Sequence, residues 1–105
     1  MTTAADTRGE VLQRLREHGH EIRALGVERL GLFGSFARDE QRPESDVDVL
    51  VRFRPEKKSF DNFMELAQLL EDVLQRRVEL VTTEALSPYL GPRILEEAQD
   101  VSLGA

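Results

Sequence analysis

Three groups of residues in this 105-residue chain have the types and spacing to do chemistry on a charged ligand. Asp46 and Asp48 stand two apart at the start of the valine-rich run DVDVLVRF. In a strand, residues i and i+2 point to one face, so both carboxylates project together, with Cα atoms about 7 Å apart. Like charges held that way repel unless a cation lies between them. Ligands that are all oxygen select a hard divalent ion, Mg²⁺ or Mn²⁺. Val47, Val49 and Val51 then face the other way, into a core, and fix the direction of the carboxylates. Taken alone, the pair also fits the solvated edge of a strand, although aspartate is disfavoured in strands.

Gly34–Ser35 follows the apolar run VERLGLF and opens a short helix. A glycine there lets backbone approach a ligand closely, and the first helical N–H groups with the Ser35 hydroxyl can hold phosphate oxygens. Arg38, one turn on, can add a charge-assisted bond to the same anion. By itself this stretch also reads as a capped helix bearing a surface arginine. Glu79, in VELV, alternates with Val78 and Leu80. If that strand lies beside the aspartate strand, Glu79 brings a third carboxylate to the cation; otherwise it is an ordinary exposed strand residue.

The elements that must position these groups are readable from periodicity. Val11, Leu15, His18, Ile22 and Leu25 recur at three to four residues and predict one helix over about 6–25, with Asp6 or Thr7 as its N-cap. Gly26 ends it. Strands are expected over 27–33, 46–53 and 78–81, with a short helix after Gly34 and a polar loop over 39–45. Phe60, Phe63, Met64, Ala67, Leu70, Val73 and Leu74 mark the apolar face of a second long helix. A last helix covers 91–97, with Pro92 in its first turn. Helices alternating with strands indicate an α/β fold, a small mixed sheet with helices packed on it.

Composition narrows the function. At 11.9 kDa there is room for one core, so a single domain over 1–105 is expected, an N-terminal helix preceding a catalytic core over about 27–98. There are no cysteines, which excludes disulfides, zinc–thiolate sites and thiol nucleophiles. The formal charge of −6 disfavours long nucleic acid, whose binding rests on phosphate neutralisation. No apolar run approaches the roughly 20 residues that span a bilayer, and MTTAADTRGE lacks the pattern of a signal peptide. A cytoplasmic protein without a membrane partner is the expectation.

Together the motifs are more specific than any one of them. The segments FGSFAR, SDVDVLV, VELVT and LGPRILEEA resemble the minimal nucleotidyltransferase (MNT) branch of the DNA polymerase β-like nucleotidyltransferase superfamily. That superfamily's signature is Gly-Ser, a spacer, Asp-x-Asp and a distal acidic residue. The similarity covers roughly Leu30 to Ala98. It implies a polymerase-β-like fold in which Asp46 and Asp48 bind Mg²⁺, one ion on the triphosphate of ATP and one at the acceptor oxygen. Glu79 would be the third metal ligand and catalytic acid residue, and Gly34, Ser35 and Arg38 would bind the nucleotide. Minimal members pair with HEPN-class toxins, so the resemblance further implies an antitoxin that transfers AMP from ATP to its protein partner in a hetero-oligomer. A non-catalytic antitoxin and an aminoglycoside-type adenylyltransferase are the alternatives.

The chain departs from the pattern at Glu79, where aspartate is commoner, at Phe36, where arginine often follows Gly-Ser, and at Asp39, where glycine follows the second arginine. The remaining candidates read as structural. His18 packs along the first helix and His20 faces solvent. Tyr89 is a packing or interface residue, in an apolar stretch over 86–94 suited to a neighbour. The Phe60–Leu74 stripe is core, and Arg76–Arg77 is a charge pair at a helix C-terminus.

Overall fold

A computed structural model describes residues 3–104; Met1, Thr2 and Ala105, counted in the expected 1–105 domain, lie outside the described residues. Helix α1 spans Arg8–Glu17 and α2 Gly19–Ala24. The Thr7 hydroxyl caps α1 by accepting from the Glu10 amide at 3.1 Å, as expected of an N-cap. The single helix expected over 6–25 is therefore two, broken at His18. Gly19, a poor residue for a helix interior, follows the break, and a Cβ on it would stand 2.5 Å from the Leu103 carbonyl oxygen, so the C-terminal segment packs against bare backbone there. His18 is half-buried with its Nδ1 2.9 Å from Glu21 Oε1, and His20 is exposed.

Strand β1 (Val27–Phe33) leads into α3 (Gly34–Arg38), then β2 (Val47–Phe53), α4 (Phe60–Leu74), β3 (Val78–Thr82), α5 (Gly91–Glu97) and β4 (Gln99–Asp100). Short 3₁₀ turns at Pro55–Lys57 and Thr83–Ala85 complete the chain. The sheet has the order β3-β2-β1-β4; β1 is antiparallel to β2 and β4, while β2 and β3 are parallel. The parallel pair needs a crossover, which α4 supplies. Glu71 of α4 sets the start of β3 by accepting from the Val78 amide at 3.0 Å.

Alternation along β2 sorts its side chains as the sequence requires. Val47, Val49, Val51 and Phe53 are buried beneath α1 and α4, among Val11, Leu15, Leu66, Leu70 and Leu74. Asp48, Leu50 and Arg52 occupy the other face. The core reaches beyond 27–98 at both ends, to Ala5 and to Val101, whose amide bonds the Leu30 carbonyl at 2.8 Å.

Two further expectations are corrected. The α4 stripe was read as core throughout, yet Phe60 is 76% exposed and Met64 49%. The buried residues of α4 are Leu66, which the expected stripe left out, with Leu70, Val73 and Leu74. At 100° per residue, Phe60 and Met64 lie roughly 90–130° round the helix from the centre of that buried set. Strand β4 was not foreseen at all. It is two residues long, pairing Gln99 with Leu32 and Asp100 with Gly31, too short to show any period.

Candidate active site

Asp48 is the centre of the site. Its neighbour on β3 is Glu79, in direct register, and its neighbour on β1 is Phe33, the last residue before Gly34. In a parallel pair, registered residues face the same side, so Glu79 stands beside Asp48 as the alternation anticipated. Asp46 precedes β2 rather than opening it, since the strand begins at Val47, one residue later than expected.

Electrostatics tie the three carboxylates together. Asp48 is half-buried and its pKa is pushed up from 3.8 to about 6. Burial contributes most, followed by the charge of Glu79, a hydrogen bond shared with Glu79, and the charge of Asp46. A carboxyl raised by its own neighbours marks a place where negative charge is concentrated and a cation would be welcome. All the donors are oxygen, which suits Mg²⁺. Among the described residues, no three acidic or histidine side chains already stand as a closed metal cage.

Gly34 meets the same aspartate from the other side. Its φ is +75°, and a Cβ placed there would fall 2.0 Å from Asp48 Oδ2. Any other residue would be strained in backbone and would collide with the carboxylate, so the Gly-Ser turn and the Asp pair are one construction. No side chain caps α3, which leaves its leading N–H groups to other acceptors, and Ser35 is half-buried in its first turn.

Arg38 is not free. Its Nη1 bonds Glu97 of α5, and its Nε lies 3.2 Å from Glu40 Oε1. The Glu97 hydrogen bond, then its charge, raise the arginine's pKa further. Arg38 is near enough to Asp48 for its charge to offset part of the rise there. Glu97 and Glu40 were missed by sequence reasoning. Glu40 is visible as a near neighbour of Arg38, but Glu97 lies on a distant helix and no local pattern points to it.

The departures from the family pattern have physical accounts. Phe36 is fully buried, so that position points into the core and not at the ligand. Asp39 sits at φ 61°, ψ 33°, the left-handed conformation that glycine adopts most freely. Tyr89 is 88% exposed, with Leu90 and Leu95 exposed nearby in sequence. A concavity of about 380 Å³ lined by Arg23, Glu28, Arg29, Arg54, Asp100 and Val101 lies at the opposite end of β1 from Phe33 and includes none of Asp46, Asp48 and Glu79.

A strand–turn–helix thus meets carboxylates of two adjacent strands at Gly34. The nucleotidyltransferase domain family matches residues 10–101, and the chain belongs to it. Its sequence is 39% identical over 89 residues to protein adenylyltransferase MntA of Thermococcus cleftensis, covering 84% of this chain and 89% of that one. A solved structure provisionally described as a minimal nucleotidyltransferase superposes with a TM-score of 0.69 at 35% identity, over 84% of this chain and 93% of its own. A complex of the tri-AMPylated HEPN toxin of Shewanella oneidensis with an MNT antitoxin gives a TM-score of 0.61 at 21% identity, over 87% of this chain and 71% of the matched one. That last likeness is one of fold. The mixed sheet with helices on it is thus the polymerase-β-like fold of the minimal nucleotidyltransferases. Among the described residues, no helix is long and apolar enough to cross a membrane.

Proposed function

We propose that this chain is a Mg²⁺-dependent protein adenylyltransferase that moves AMP from ATP to a HEPN-class toxin and acts as its antitoxin in the cytoplasm. The observation that carries the reading is the register of Asp48 with Glu79, closed from the other side by Gly34. Identity to MntA supplies the direction of the chemistry.

Asp46, Asp48 and Glu79 would hold the metal, and bound Mg²⁺ (or Mn²⁺) supplies charge neutralisation at the triphosphate and a more acidic acceptor hydroxyl. The open N–H groups behind Gly34 and the Ser35 hydroxyl hold the β- and γ-phosphates. Arg38 lends positive charge to the same anion while Glu97 and Glu40 fix its orientation. The acceptor oxygen attacks the α-phosphorus, the bond to the bridging oxygen breaks, and pyrophosphate leaves; the acceptor's proton passes to solvent by way of the carboxylate side at Glu79. With so much of the barrier set by charge and position, a scaffold this small suffices. Exposed Tyr89, Leu90 and Leu95 offer apolar surface to the partner.

The test is transfer of α-labelled ATP to the HEPN protein in Mg²⁺, resolved by mass. Label on the partner, lost in the Asp46→Asn, Asp48→Asn double variant, supports the reading. A stable complex without label, still neutralising the toxin when both aspartates are changed, would make this a steric antitoxin instead. The grip of Glu97 and Glu40 on Arg38 is the observation that gives that second reading its weight.

A further inference from the structure

Arg76 was read, with Arg77, as a charge pair at a helix C-terminus. Its side chain is instead 8% exposed and fully engaged. Its Nε donates to the Ala5 carbonyl, its Nη1 to the carbonyls of Pro43 at 2.9 Å and Ser45 at 3.0 Å, and its Nη2 to Asp6 Oδ1 at 3.3 Å. Its guanidinium carbon lies 5.2 Å from the centroid of the Phe36 ring.

We infer that Arg76 is the positioning residue that sets Asp46 and the Gly34–Ser35 turn relative to each other. Phe36 is buried and directly follows Ser35, so the cation stacked on its ring fixes the back of α3. Ser45 directly precedes Asp46, and its carbonyl is held by the same guanidinium. On the far side of Asp46, the Val47 amide donates to the Arg77 carbonyl at 2.9 Å. Asp46 is therefore clasped on both sides by two consecutive residues of the α4–β3 connection.

The loop needs such a clasp. Residues 40–46 have no helix or strand of their own; besides Arg76 they are held at their start by the Glu40 amide on the Ser35 carbonyl at 2.9 Å and Gln41 Nε2 on the Asp6 carbonyl at 3.2 Å, and nearer Asp46 by a local turn. In that turn the Ser45 amide bonds the Arg42 carbonyl at 2.9 Å and the Arg42 amide bonds Ser45 Oγ at 2.8 Å. A guanidinium suits the task because its donors radiate in one rigid plane, whereas a lysine keeps the charge and loses the fork. Most of its partners are backbone carbonyls, so it fixes chain path and not merely charge.

The inference rests on the reading of Asp46 as a cation ligand, and the experiment separates the two. Arg76→Lys is compared with the wild-type chain and with Arg14→Ala, which removes bonds to the Val73 and Leu74 carbonyls at 3.3 and 3.4 Å but touches neither Asp46 nor α3. Amide hydrogen exchange of the metal-free chain is read at Ser45 and Val47. Arg76→Lys should speed exchange there about tenfold while circular dichroism shows a folded protein; Arg14→Ala should leave those amides unchanged. In the AMP-transfer assay, Arg76→Lys should raise the Mg²⁺ concentration for half-maximal rate by about 10–100-fold, the usual cost of losing a residue that orients a metal ligand. Arg14→Ala should lower thermal stability without moving that concentration. Unchanged exchange in Arg76→Lys, or an equal Mg²⁺ shift in Arg14→Ala, overturns the inference. A wild-type chain that transfers no AMP overturns the proposed function alone, and the exchange result still decides the role of Arg76.

Discussion

The two faces of β2 are built from alternate residues of one heptapeptide and do opposite things. The inner face, Val47, Val49, Val51 and Phe53, is sealed under α1 and α4. The outer face carries Asp48 in register with Glu79, with Asp46 just ahead of the strand, and gathers charges that repel. Burial of each valine contributes about 1.5–3 kcal/mol, whereas a carboxylate held up near pKa 6 by burial and by its neighbours works against folding. Stability is stored on one side and spent on the other. The spending is tolerable because the strand beneath it is so well anchored, and the anchoring gives the carboxylates a fixed direction.

The comparison predicts that activity and stability separate cleanly by face. The largest effect should come from Asp46→Asn with Asp48→Asn. AMP transfer should fall by about a thousandfold or more, with no loss in the urea midpoint. On the opposite face, Val49→Ala should cost about 2–3 kcal/mol in urea unfolding, from lost burial and the cavity left behind. The transfer rate per folded molecule should hardly change. An inner-face valine that altered Mg²⁺ dependence at constant fold would break the division.

Asp48→Asn alone sharpens it further through pH. The folded pKa of about 6 lies above the ordinary 3.8, so between roughly pH 4 and 6 the folded chain keeps a proton that the unfolded chain releases. The wild type therefore loses stability as pH rises through that window, and the loss is complete above pH 6. Because half the carboxylate is open to solvent, screening reduces the penalty to about 1–2 kcal/mol. In metal-free buffer, Asp48→Asn should match the wild type near pH 4 and exceed it by that amount above pH 6. Urea titrations at several pH values check it; a gain independent of pH would mean that the carboxylate's charge is not the cause.

How much of this was legible in the sequence follows from how local each cause is. The alternation of β2, the turn at Gly34 and the facing of Glu79 depend on neighbours one or two residues away, and all were readable. The adjacency of β3 to β2 needed the family resemblance or the structure, because strand order leaves no local mark. The break at His18 had only Gly19 as a local mark, and the Leu103 backbone that packs against it is distant in sequence. Phe60 and Met64 misled because side-chain hydrophobicity does not report which side of a helix is covered. Arg38 looked free because Glu97 comes from another helix, and Arg76 read as a helix-end charge because its partners are carbonyls of two distant segments. Charged residues that serve the site through the backbone carry no motif.

The smallest expected effects lie at two helix ends, one on each side of the division. Asp39 closes α3 at φ 61° beside the site, and Gln75 closes α4 at φ 53° beside the core. Both positions take the left-handed conformation, which costs an ordinary L-residue about 1 kcal/mol and glycine little. Glutamine has no local compensation of the kind aspartate finds in this region, although Gln75 Nε2 does donate to the Asp72 carbonyl at 2.7 Å and would forfeit that bond. Gln75→Gly should therefore gain about 0.5 kcal/mol, and Asp39→Gly only a few tenths, both read as shifts in thermal midpoint. Neither change touches a carboxylate of the site, so the Mg²⁺ concentration for half-maximal transfer should stay fixed in Gln75→Gly. In Asp39→Gly it should move only if the end of α3 also steers Arg38. A shift there, with none at Gln75, would extend the active face from the carboxylates to the loop that follows the Gly-Ser helix.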